Sequence, residues 1–115
     1  MTNIRDSFYI TDLKLKIKKK LEDYTPNLIS HLSKQMFDEY LIKSEIYNEF
    51  LEVLEINNIN QEKIEEFLNK KIKLTMELIK NTINKEDIKK NKLIIEEYEN
   101  LFKLAGDSSD YKKQQ

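Results

Sequence analysis

The chain has 115 residues, with 20 Lys+Arg against 21 Asp+Glu, one glycine, one proline, one histidine and no cysteine. Hairpin turns and phosphate-cradling loops need glycine for positive φ, so this content argues against a strand-rich or glycine-loop protein. A net charge of −1 gives no global attraction for nucleic acid or anionic lipid, and scarce His and Cys disfavour metal, thiol and most nucleophilic chemistry.

The first predicted helix runs from Leu13 to Tyr24, with Thr11 or Asp12 as N-cap. Leu13, Ile17, Leu21 and Tyr24 recur at helical intervals and form one narrow apolar stripe. Thr25-Pro26 then stops that helix and starts the next, because Thr caps well and Pro fits the first helical position. The second helix continues to about Ile42. Ser44 is the expected N-cap of a third, with Ile46, Phe50 and Leu54 inward and an end near Asn57-Asn58, although the second and third could be continuous. Asn60 caps a fourth helix carrying Ile64, Leu68, Ile72 and Ile79. Asn84, with Asp87 three residues on, resembles a capping box for the fifth. Ile88, Ile95 and Phe102 line that helix, and Gly106 is its expected C′ residue.

The expected fold is therefore all-α, with about five helices in one domain over residues 11–105. Residues 1–10 read as a flexible segment and 106–115 as a disordered polar tail. No run approaches the ~18 apolar residues of a membrane span. Met1 to Asp6 lacks the charged-then-apolar order of a secretory signal, so an intracellular location is expected.

Helical wheels at roughly 100° per residue place apolar side chains on more than one face. Leu15 points opposite the Leu13/Ile17/Leu21 stripe. The second helix spreads Leu28, Ile29, Leu32, Met36, Phe37, Tyr40 and Leu41 over about 220°, where one stripe of about 100° serves a surface helix. Leu93 and Leu104 lie opposite Ile88/Ile95/Phe102. A central second helix surrounded by the others would account for the wide arc. It does not account for Leu15 and Leu93, which a wrapped partner helix would cover.

Motifs for chemistry are sparse. Lys14, Lys16, Lys18, Lys19 and Lys20 could grip phosphates, but no aromatics interleave for base stacking and Glu22 and Asp23 follow at once. A solvated face is the plainer reading. His31 stands alone, and residue 28 is Leu, so the Glu-x-x-His of a di-iron bundle is absent. Glu65/Glu66 and Glu96/Glu97 sit among lysines on polar faces, and adjacent residues diverge on a helix. Glu62 and Glu66 share a face beside Lys63 and Lys70, which reads as surface. Tyr24, Tyr40 and Tyr98 fall on or beside apolar faces as core-edge residues. No enzyme, metal or cofactor site can be assembled, so a non-catalytic protein is expected.

Lys20-Leu21 lies in a short first helix, and Ile29, Leu32 and Phe37 in a leucine-rich second one. Ile46, Phe50, Val53 and Leu54 follow, then Ile59-Asn60-Gln61-Glu62-Lys63-Ile64 entering a short acidic helix, and Ile88-Lys89-Lys90 opening the last. Across about residues 12–103 this pattern resembles the enhancer-of-yellow-two family, known in yeast through Sus-one. The family's Cys-Gly-Trp joint falls on Tyr40-Leu41-Ile42 here, and its Pro-Lys-Gly-Arg loop has no counterpart, since Asn69 to Ile79 reads as helix. The resemblance implies an articulated helical hairpin that wraps a long helix of a scaffold protein. Its settings would be the SAGA deubiquitinase module in transcription coactivation and nuclear mRNA export, with a nuclear location. By that analogy Leu15, Phe37, Tyr40, Leu41, Leu51 and Leu93 are the partner-binding residues, and Lys16 and Lys19 are rim charges that steer encounter. Size and Lys/Asn/Ile content equally suit a small bacterial or phage immunity or inhibitor protein that binds a toxin or enzyme. Binding of nucleic acid by Lys14 to Lys20 is a third reading.

Overall fold

The computed structural model describes the backbone of residues 4–24 and 34–113, and the side chains of 8–23 and 37–106. These residues are all-α, in four helices rather than about five: α1 (Ile4–Tyr24), α2 (Lys34–Leu54), α3 (Gln61–Lys80) and α4 (Lys85–Lys113). They pair two by two. One unit, Met1–Asn60, holds α1 and α2, and the other, Gln61–Gln115, holds α3 and α4. One domain is expected over residues 11–105; the described residues divide into these two helix pairs. The Thr25-Pro26 joint, Leu28, Ile29, His31 and Leu32 lie outside the described residues.

In the first unit, α1 begins well before the expected caps. Thr11 and Asp12 are exposed residues inside the helix, and Asp12 pairs with Lys16 at 3.0 Å, one turn on. The earlier start brings Tyr9 and Ile10 onto the Leu13/Ile17 stripe, and all four side chains are buried. Each such burial stabilises by about 1.5–3 kcal/mol, more than a cap at Thr11 would contribute. Leu21 is half-buried at the end of the stripe.

The expected second and third helices are one rod. Ser44 does not cap: its hydroxyl donates to the Leu41 carbonyl at 3.0 Å, a bond made by serines inside helices. The apolar register Tyr40, Tyr47, Leu54 passes through it unbroken, and neither Gly nor Pro interrupts residues 34–54. Ile46, Tyr47, Phe50 and Leu54 are buried, so the inward residues of the third predicted helix are inward here. After Leu54 the chain turns through Glu55 N–H to Glu52 O and Ile56 N–H to Val53 O bonds, each 3.1 Å. Asn58, at φ 62°, takes the left-handed conformation, which Asn tolerates better than most side chains. Ile59 folds back as a buried residue.

In the second unit, Asn60 directly precedes α3, as a cap should. Ile64 and Leu68 are fully buried, while Ile72 and Ile79 are half-buried. Thr75 joins the core by donating its hydroxyl to the Lys71 carbonyl at 2.8 Å, so no polar group is left unpaired. The four-residue connection 81–84 returns the chain antiparallel. Asn84 caps α4: its Oδ1 accepts the Glu86 N–H at 2.9 Å, and its carbonyl starts the helix by accepting Ile88 N–H at 3.1 Å.

Four expectations for α4 are corrected. Its buried side is Glu97, Tyr98, Leu101 and Ala105, whereas Ile88, Ile95 and Phe102 are only half-buried along one flank. The branched and aromatic residues marked a stripe, but the core selected the neighbouring one, in which Ala105 is fully buried. Glu97, read as a surface residue beside Glu96, is 3% exposed. Gly106 is not a C′ residue either. It has no positive φ, and the helix runs through it to Lys113, over residues expected to form a tail.

Candidate functional site

The sequence nominates surface made by apolar side chains that their own unit does not cover. Leu15 is the clearest case. On α1, Leu13 and Ile17 face the core at 0% exposure, and Leu15 between them is 63% exposed. Successive residues differ by about 100°, so Leu15 stands nearly opposite the buried stripe. Phe8, two turns earlier on the same outer line, is 71% exposed and extends that surface.

On α2, Phe37 and Leu41 are both exposed one turn apart, and Tyr40 beside them is half-buried. Their line lies well round the helix from Ile46, Phe50 and Leu54. Leu51 is half-buried further along α2. Leu93 belongs to the other unit and is half-buried on α4. Three of the six nominated residues are therefore openly exposed, and three form the edges of cores. Phe37, Tyr40 and Leu41 share one stretch of α2, and Leu15 sits on α1 of the same unit.

The sequence reading overlooked Phe8, Ile56, Leu74, Met76, Leu78 and Ile83, all large apolar side chains exposed to solvent. Ile83, in the α3–α4 connection, is 96% exposed. Phe8 was hidden by the assumption that helix one starts near Leu13. Leu74 and Leu78 were legible as an i,i+4 pair off the Ile64/Leu68 face, and Phe67 completes their line at i−7.

The basic run of α1 is partly engaged. Lys14 Nζ lies 2.7 Å from Glu55 Oε1, which ties the middle of α1 to the end of α2. The hydrogen bond from Lys14, then its charge, hold the Glu55 carboxyl below its usual range, with a smaller contribution from Lys18. Lys16 is engaged by Asp12. These pairs subtract from the positive charge that a phosphate backbone would meet.

Among the described residues, no group of three or more His, Cys, Asp or Glu side chains is placed to hold a metal ion. Glu62, Glu65 and Glu66 extend from α3 among lysines, and Gln61 Nε2 donates to Glu65 Oε1 at 3.0 Å. No helix of the described residues is long and apolar enough to cross a membrane. No protein-family model, curated protein or solved structure matches the chain.

Proposed function

We propose that this chain is a non-catalytic adaptor that holds a helix of a partner protein through apolar faces its own folding leaves open. The observation that carries this reading is the exposed Phe8–Leu15 line on the side of α1 opposite its core, with a second exposed pair, Phe37 and Leu41, on the side of α2 away from its core. A lone exposed leucine is ordinary. Pairs repeated at helical spacing on the same unit are a surface, and covering each side chain is worth about 1.5–3 kcal/mol.

Leu15, Phe37, Tyr40 and Leu41 carry the contact in this reading. Leu51 lies at a core edge of the same unit, where a bound helix would complete its burial, and Leu93 at a core edge of the other unit. Lys19 stands at the rim of the Leu15 line and steers an acidic partner, acting on encounter rate more than on affinity. A place in transcription coactivation and mRNA export, and with it the nucleus, rests on the family resemblance alone.

The test uses the full purified chain. Static light scattering and binding of an apolar dye are measured for the wild type and for a Leu15→Glu/Leu41→Glu double variant. The wild type is expected to bind dye or self-associate weakly, and the variant to lose this with an unchanged far-UV circular dichroism spectrum. A wild-type chain that is strictly monomeric, melts cooperatively and ignores the dye sinks the proposal.

A further inference from the structure

A second register runs along α2, away from its core. Phe37, Leu41, Ser44, Asn48 and Leu51 are spaced alternately four and three residues apart, the a and d repeat by which one helix seats along another. They lie about 125° round the helix from Ile46, Tyr47, Phe50 and Leu54, and all are exposed or half-buried. Fourteen residues separate Phe37 from Leu51, so the seam runs for about 21 Å, four helical turns. Counting Phe37 as d places Leu41 and Asn48 at a, and Ser44 and Leu51 at d. The Ser44 hydroxyl is already bound to the Leu41 carbonyl, so it adds no unpaired donor to the seam. The e positions are Asp38, Glu45 and Glu52, an exposed acidic line along one edge. Glu55 ends the seam in its pair with Lys14, whereas none of these three is bound to another described side chain. The one lysine among the described side chains of α2, Lys43, falls on the core side of the helix.

From this register we infer that α2 seats a basic heptad helix of another protein. The occupant is about three heptads long and apolar at a and d, with lysines or arginines facing Asp38, Glu45 and Glu52. In such pairings the e and g charges choose the partner, and a polar a residue such as Asn48 fixes the register. A second copy of α2 does not suit. Set antiparallel, its acids meet these acids; set parallel, they meet the g positions Tyr40, Tyr47 and Leu54, which carry no cation. The same acidic line repels nucleic acid and an anionic bilayer. The inference rests on the adaptor reading and deepens it for the α2 face by naming the partner's chemistry; the Leu15 line of α1 is no part of this site.

The probe is a capped helical peptide of about three heptads, with leucines at a and d, one asparagine at the central a, and lysines at e and g. A control peptide carries glutamates in place of the lysines. Fluorescence anisotropy against the full chain is expected to show binding of the lysine peptide, weakening with added salt, and no binding of the glutamate peptide. Phe37→Gln/Leu41→Gln, at exposed positions and without change of charge, should weaken binding at least about tenfold. Asp38→Lys/Glu45→Lys/Glu52→Lys should transfer the preference to the glutamate peptide. That exchange cannot arise from misfolding.

Equal binding of both peptides, or binding of neither, overturns the inference. Lysine-peptide binding that survives Phe37→Gln/Leu41→Gln is attraction by charge alone and overturns it too, as does a stable dimer of the chain that Leu41→Gln dissociates. The adaptor reading fails or stands separately. Dye binding that is lost in Leu15→Glu/Leu41→Glu, with no discrimination between the two peptides, refutes the basic helix on α2 and leaves that reading standing.

Discussion

Replacing Gly106 with alanine tests the path of α4 by the sign of the effect. Were Gly106 a C′ residue in the left-handed conformation, a Cβ there would cost roughly 1–2 kcal/mol. In the structure its φ is not positive and an added Cβ meets no atom within 4 Å. Nothing in the folded state then opposes alanine, which is favoured over glycine inside a helix by about 0.8–1 kcal/mol. Because Gly106 lies seven residues from the end of the helix, some of that gain is lost to fraying. The expected net is about 0.4–1 kcal/mol of added stability. With a urea slope of about 1–3 kcal/mol per molar, the midpoint moves up by a few tenths of a molar. Urea melts of Gly106→Ala and wild type, followed by ellipticity at the helical minimum, measure this directly. A midpoint that falls refutes the helical assignment of Gly106 and with it the extension of α4.

The same logic applies to Ser44→Ala. As a helix-interior residue it should be neutral or stabilising by up to about 0.5 kcal/mol, whereas loss of an N-cap would cost about 1 kcal/mol in the same melt. Leu13→Ala should cost about 2–5 kcal/mol and Leu15→Ala no more than about 0.5, two residues apart on one helix; similar costs would show that α1 is wrongly rotated. For Glu55, whose carboxyl is held below its ordinary 4.5 by Lys14, the stabilising pair is fully present above that value. It is lost as pH falls through the lowered pKa. Titration of the Glu55 side chain by nuclear magnetic resonance should show this shift, and Lys14→Ala should remove most of it, leaving the smaller contribution of Lys18. An unshifted carboxyl in the wild type contradicts the 2.7 Å contact.

In α1, α2 and the first half of α3 the core was legible from full-size apolar residues that repeat at helical spacing. Leu13, Ile17, Ile46, Phe50, Leu54, Ile64 and Leu68 were all read as inward, and all are buried. Asn84 was readable as a cap because Asn ahead of an apolar-periodic run offers a side-chain oxygen to a first-turn N–H, here that of Glu86. Ser44 and Gly106 misled for the opposite reason. Each is a boundary residue by local preference, and each is overridden by apolar register that continues on both sides. On α4 the sequence pointed to Ile88/Ile95/Phe102, while the buried stripe beside it holds Glu97, Tyr98, Leu101 and Ala105. Ala105 shows why this misled: a small residue contributes little hydrophobic signal, yet it is fully buried. Of the nominated surface, Leu15 was visible because it stands alone opposite a clean stripe. Phe8 stayed hidden behind a misplaced helix start.

The continuity of α2 divides its length unequally between support and exposure. Its 21 residues span about 31 Å, and the side chains anchored in the first unit's core, Ile46 to Leu54, occupy only the C-terminal part. From Phe37 to Glu45 no side chain is fully buried, so backbone bonds there depend on helix propagation outward from a fixed root. Amide protons should therefore exchange progressively faster from Phe50 back towards Phe37. A bound helix that covered Phe37 and Leu41 would flatten this gradient, so the arm would report occupancy through its own breathing.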